Sequence, residues 1–361
     1  AGVSLLALGA PVGLLDGVAI GGLIGATGAA FALAALFGSL ARLHGVPIAM
    51  EPVDNTARSY LRTFFNCLRF PVRQAHWLFW VTQDPTNQRP WLGWALKHGY
   101  LLDRLADAEE RVAPVATLFC YTEPLLRLPA TTADPYVKAP NLRWMRALQA
   151  ASYRTWWVTD YSTGLDWGRY ASIFCLKGTV LRPEAVAKLT AFVEQGGKLV
   201  LVGDVGSIDL ETGKESWPLL TALGMGPGEA RRGGESAAVL GERWSLLEGC
   251  EARGSNRFEL VPGPRRVDAL ARDENGALVA ASWPRGKGTV VLLGCEPSLL
   301  YEGQLLSKAS LKLLDWAGAV NRLAYPLAEI FEARKCGDAP RPPRRGRNRA
   351  QGVLECAHEY N

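Results

Sequence analysis

The stretch RPEAVAKLTAFVEQGGKLVLVGD, residues 182–204, constrains the fold more than any other part of the chain. Pro183 suits a first helical turn, where its missing N–H costs no hydrogen bond. Gly196 and Gly197 stop the helix, and the chain passes at once into the apolar run LVLV. A helix that delivers the chain directly into an apolar strand is an α/β unit, and three such units in series near the N-terminus imply buried parallel strands with right-handed crossovers. The spacing therefore predicts a helix ending at these glycines and a strand over 198–204.

The same alternation recurs on both sides. Near the N-terminus DGVAIGG reads as a strand, followed by a helix over 29–43 and the strand VPIAME. A helix over 56–68, the strand QAHWLFW (74–80), a loop rich in Pro and Asn, and a helix over 91–110 come next. A second α/β region starts near residue 113 with the strand VAPVATLFCY and a helix over 141–153. The strands TWWVTDY and YASIFCL lead into the stretch quoted above. From residue 207 the pattern degrades into Gly-rich and charged segments, which predicts a β-rich excursion over about 207–290. Asp273, Glu274, Asn275 and Gly276 punctuate a hairpin inside it. GKGTVVLLG reads as a returning strand, and a helix over 304–317 closes the region.

At 361 residues the chain is too long for one ordinary core, so two domains are expected, 1–111 and 112–325. The net charge is +5, with basic residues concentrated at Arg341, Arg344, Arg345, Arg347 and Arg349 among prolines. Such a composition cannot bury apolar area, so 326–361 is expected to be a disordered tail. No nucleic-acid partner is expected, because no binding module accompanies the basic residues. The seven cysteines are scattered, form no CxxC pair, and mostly lie in apolar runs. They behave there as small hydrophobes, which favours a reducing, cytoplasmic setting with export left open.

Only Asp16 is charged before Arg42, and residues 17–40 are long enough to cross a bilayer. Gly17, Gly21, Gly22, Gly25 and Gly28 break this run, and strand-plus-helix is the first reading. The alternative is a membrane-anchored, non-enzymatic protein with 17–40 as its span.

In pattern and order, ARLHGVPIAMEP, QAHWLFW, YASIFCLKGTVLRPEAVAKLTAFVEQGGKLVLVGD and PRGKGTVVLLG resemble the later part of a clan-A glycoside hydrolase of the family 42 β-galactosidase type. The resemblance implies an α/β fold. It consists of the last β/α units of a TIM barrel, strands six to eight, followed by a class I glutamine amidotransferase-like α/β domain that serves trimerisation. It implies a carbohydrate substrate, a retaining mechanism, no cofactor and a homo-oligomer, with a trimer the family's form.

On this resemblance VPIAME is barrel strand seven, and Glu51 corresponds to the catalytic nucleophile at its carboxyl end. A retaining hydrolase needs a carboxylate there to attack the anomeric carbon, and a second carboxylic acid to protonate the leaving oxygen. Barrel enzymes keep their active sites on that rim. Trp80, ending strand eight, would be the aromatic platform for a sugar face. His76, Asp54, Asn55 and Asp84 are candidates for hydroxyl contacts. The family's general acid is a Glu preceded by Asn, and this sequence contains no Asn-Glu dipeptide. Three strands do not close a barrel, because closure needs matched tilt and shear all round. The isolated chain is therefore expected to be inactive.

The second region lacks an amidotransferase triad. Cys175 lies inside a strand without a Gly-x-Cys-x-Gly turn, and no His occurs between His98 and His358. A nucleophilic Cys needs a base within hydrogen-bond reach. The glycines of VEQGGKLVLVGD end a helix and do not precede one, the reverse of a phosphate cradle. Four widely spaced histidines offer no zinc set, and no metal is expected.

Overall fold

The computed structural model describes residues 39, 48–50, 72–75, 115–123, 140–151, 153, 156–225, 230–233, 236–240, 250–254, 257–260, 267–273, 278–294, 300–302 and 305–319. Contacts divide the chain into two compact units. One comprises Ala1–Arg111 with Tyr325–Asn361, the other Val112–Ala324.

In the first unit two strands are described, β1 (Ile48–Met50) and β2 (Val72–Ala75). They pair in parallel, with Ala49 opposite Gln74 and Met50 opposite Ala75. Both start just after a proline, Pro47 and Pro71. Proline has no N–H to give to a ladder, so pairing begins at the following residue. This corrects the expected strand over 74–80, which begins two residues earlier, at Val72. The expected helices over 56–68 and 91–110, the strand at 17–22 and the tail at 326–361 lie outside the described residues. Of the possible span at 17–40, only Ser39 is described, and it is helical. Among the described residues no helix is long and apolar enough to cross a membrane.

The second unit is a mixed α/β sheet. Its parallel part contains β3 (Val115–Phe119), β4 (Trp156–Thr159), β5 (Ser172–Cys175) and β6 (Lys198–Val202). Helix α1 (Pro140–Ala150) joins β3 to β4, and α2 (Pro183–Glu194) joins β5 to β6. A short helix, α3 (Pro218–Ala222), follows. Next come β7 (Ala230–Gly233), β8 (Ser236–Leu240), β9 (Cys250–Gly254), β10 (Arg257–Leu260), β11 (Asp268–Asp273), β12 (Leu278–Arg285) and β13 (Gly288–Leu293). A hairpin of β14 (Tyr301–Glu302) and β15 (Leu305–Leu306) precedes α4 (Lys308–Ala317).

The strand order is β4-β3-β5-β6-β13-β12-β11-β8-β9. From β4 to β13 every pair is parallel, and from β13 to β9 every pair is antiparallel. The β-rich excursion expected over 207–290 thus adds antiparallel strands to one side of the sheet, while 207–225 carries α3. Strand β13 returns beside β6, as the apolar run GTVVLL requires to be buried on both faces. The chain moves from β3 outward to β4, then back across β3 to β5. Right-handed crossovers therefore put α1 and α2 on opposite faces.

The core follows the strand period. Thr117, Trp157 and Phe174 are register partners on one face. Trp144 of α1 covers them, stacking on Phe174 with ring centroids 5.5 Å apart. Its indole N–H donates to Thr117 Oγ1 at 3.3 Å. Burying a Trp of this size is worth several kcal/mol, and ~3–5 kcal/mol would be lost on truncation to Ala.

The expected helix over 304–317 begins instead at Lys308. Ser307 accepts a hydrogen bond from Ser310 N and so fixes the first turn, while Leu305 and Leu306 pair as a strand. At Gly197 a Cβ would sit 2.6 Å or less from the Phe192 ring, so no side chain fits where α2 turns into β6.

Candidate functional site

Glu51, Asp54, Asn55, His76, Trp80 and Asp84 all lie outside the described residues. Their described neighbours are the strand ends. Met50, the residue before Glu51, is paired with Ala75, the residue before His76. The parallel register thus aligns the carboxyl ends of β1 and β2 at the points where the chain enters Glu51 and the HWLFW run.

In the second unit the polar groups concentrate at the carboxyl ends of β3, β4 and β5. Asp160, fully buried, directly follows β4. Its Oδ1 accepts Tyr121 N at 2.8 Å, and its Oδ2 accepts Thr122 N at 3.0 Å and the Thr122 hydroxyl. Thr122 and Glu123 have helical backbone, so Asp160 caps a turn that opens just after β3. Glu123, also buried, accepts Thr179 N at 2.9 Å and ties the β3 loop to the β5 loop. Arg182, at the N-cap of α2, lies 4.5 Å from the centre of the Tyr161 ring and 3.4 Å from the Glu184 carboxylate.

Two thiols sit among these groups. Cys120 Sγ donates to Val180 O at 3.1 Å and approaches Asp160 Oδ2 at 3.5 Å. Burial pushes its pKa far above the ordinary thiol range, and the Asp160 charge pushes it the same way. Cys175 ends β5 with no exposed surface, and burial alone raises its pKa as far. Neither forms the thiolate that nucleophilic chemistry requires. The reading of Cys175 as a packing residue stands on this burial. Among the described residues no group of His, Cys, Asp and Glu is arranged to hold a metal.

Sequence reasoning did not single out Asp160, Glu123 or Thr179. The signal was modest, a polar residue directly after an apolar strand in WWVTD, TLFCYTE and SIFCLKGT. That is the same signal that raised Glu51.

No family model matches the sequence, and no curated protein matches it. Solved structures do match in fold. A β-galactosidase from Bacillus circulans sp. alkalophilus superposes with a TM-score of 0.62 at 16% identity, over 82% of this chain and 49% of that one. A cold-adapted β-galactosidase from Rahnella gives a TM-score of 0.60 at 15% identity, over 81% and 48%. A GH42 β-galactosidase from G. stearothermophilus, in the form of a catalytic mutant, gives 0.56 at 15%, over 82% and 48%. The chain spans about half the length of these structures and shares the fold of that part of them.

Proposed function

We propose that the chain is the C-terminal part of a glycoside hydrolase of the β-galactosidase type that works by a retaining mechanism, with Glu51 as nucleophile. The observation that carries this reading is the parallel pairing of β1 with β2, in register at Met50 and Ala75. It supports a barrel rim on which Glu51 is the next residue after β1 and His76 the next after β2, the rim where such enzymes react. On this reading Glu51 attacks the anomeric carbon as an acid partner protonates the leaving oxygen. Water then cleaves the glycosyl ester. Trp80 stacks on the sugar face, and His76, Asp54, Asn55 and Asp84 contact its hydroxyls. The acid partner comes from outside these 361 residues, since no Asn-Glu dipeptide occurs in them. The isolated chain is then inactive on glycosides.

The second unit is proposed to be amidotransferase-like and to hold copies of the enzyme together. The strand order around β3 and the inert burial of Cys175 and Cys120 support a structural role. Sedimentation should then give a trimer, and a monomer at micromolar concentration would count against this role.

The decisive assay compares Glu51 with Glu51→Gln in the longest natural translation product that contains this chain, on nitrophenyl β-galactoside. An amide cannot form the glycosyl ester, so kcat should fall by about a thousandfold or more. Unchanged turnover in the Gln variant would remove Glu51 as nucleophile.

A further inference from the structure

The sheet order reverses at β3, and open α/β sheets take ligands outside the carboxyl ends of their strands at such a reversal. Here the chain's own groups crowd that place. A Cβ on Gly178 would lie 2.8 Å from Cys120 Cβ, and one on Gly206 would lie 2.6 Å from Leu219 Cβ. Ser207 O accepts both Ser216 N and Trp217 N, which folds 207–217 back on itself and leads into α3. The β5 and β6 loops meet directly, with Gly206 N donating to Gly178 O at 2.7 Å and Ile208 N to Thr179 O at 2.9 Å.

These two hydrogen bonds hold Ser207 directly beside Thr179. Thr179 is 4% exposed and Ser207 not at all, yet neither hydroxyl has a hydrogen-bond partner among the described residues. Leaving buried hydroxyls without a hydrogen bond is costly, and an internal water is the usual partner of such groups. We propose that Thr179 and Ser207 together hold a single internal water molecule, which joins the β5 and β6 loops. The water donates to one hydroxyl and accepts from the other.

A high-resolution crystal structure of the full chain tests this, with Thr179→Val and Ser207→Ala alongside. One spherical peak is expected about 2.8 Å from both hydroxyl oxygens, and its loss or displacement in each variant. Two separate peaks, a direct hydroxyl–hydroxyl bond, or density for a larger molecule or a metal ion would overturn the proposal. Thermal unfolding supplies an independent sign. If the water is held, each single variant melts lower, and the double variant melts no lower than the worse single one. If the hydroxyls have no guest, removing either buried polar group raises the melting temperature, and the proposal fails.

Discussion

The two ends of the parallel sheet are closed by opposite chemistry. At the carboxyl ends, acceptor side chains collect backbone N–H groups: Asp160 takes those of Tyr121 and Thr122, and Glu123 takes that of Thr179. At the amino ends, donor side chains serve the last carbonyls of α4. Ser172 Oγ, at the start of β5, donates to Ala317 O at 3.1 Å, and Lys198 Nζ, at the start of β6, donates to Trp316 O at 2.5 Å. Lys198 also lies 4.7 Å from the centre of the Trp316 ring. Backbone polarity explains the contrast. A helical turn that begins presents unpaired N–H groups and partial positive charge, while a helix that ends presents carbonyls and partial negative charge. A carboxylate after an apolar strand is therefore ambiguous, since Asp160 has that position and its bonds are architectural.

The sharpest way to break this comparison is Asp160→Ala. It strands two buried amides and a threonine hydroxyl at once, and should lower unfolding free energy by ~3–5 kcal/mol in urea denaturation. Asp160→Asn keeps one acceptor oxygen but points an NH₂ at donors, and should cost roughly half as much. A loss under about 1 kcal/mol for the Ala variant would mean that the carboxyl end is not held by this clamp. Glu51→Gln supplies the contrast. If Glu51 serves chemistry, its variant loses turnover and keeps its melting point, whereas the Asp160 variants lose stability first.

The legible part of the fold was the part written in local chemistry. Pro183 and the glycines after Gln195 marked α2, and the apolar runs LVLV and TVVLL marked β6 and β13. Their parallel pairing is a finding of the structure. The helix expected over 304–317 failed at its start, because Leu305 and Leu306 have helical spacing with later residues but are claimed by the β14–β15 hairpin. Only the Ser307 cap gave the true boundary. The strand expected over 74–80 failed at its start for a related reason, as Val72 pairs with Ile48 of β1 and Arg73 is passed over at an irregularity, although neither extends the apolar run. The Asp160 clamp was not legible, since its partners lie 38 and 39 residues away. Nothing local separates an Asp that caps a distant turn from one that surfaces in a loop.

The thiols report the electrostatics of the carboxyl end. Cys120 and Cys175 are both raised above the ordinary value of 9.0, by burial first and, for Cys120, by Asp160 second. A folded pKa raised above the unfolded one gives stability that is complete below about 9 and is lost as pH rises beyond it. The loss is about 1.4 kcal/mol per thiol for each pH unit above that point. Urea midpoints measured at about pH 8 and about pH 10 should therefore fall less in Cys175→Ala than in the parent. Equal falls would show that Cys175 ionises as freely in the folded protein as in the unfolded one. Neither thiol should react with a disulfide reagent under native conditions near pH 8, because no thiolate forms there.

The amino end yields the smallest effects, and they bear on whether its donors are an electrostatic match or only filler. Lys198→Met keeps most of the stem that packs along Trp316 but removes the charge from the end of α4. It should cost ~1–2 kcal/mol, part hydrogen bond and part helix-dipole interaction. Ser172→Ala removes a neutral donor from the adjacent carbonyl and should cost ~1 kcal/mol. The two donors bind successive carbonyls of one helix terminus, so the double variant should deviate from the sum of the singles. Salt distinguishes their contributions, since only the Lys198 term carries a full charge and should shrink as ionic strength rises. If added salt left the Lys198→Met loss unchanged, the contact would be one of packing, and the contrast between the two ends of the sheet would reduce to hydrogen-bond geometry alone.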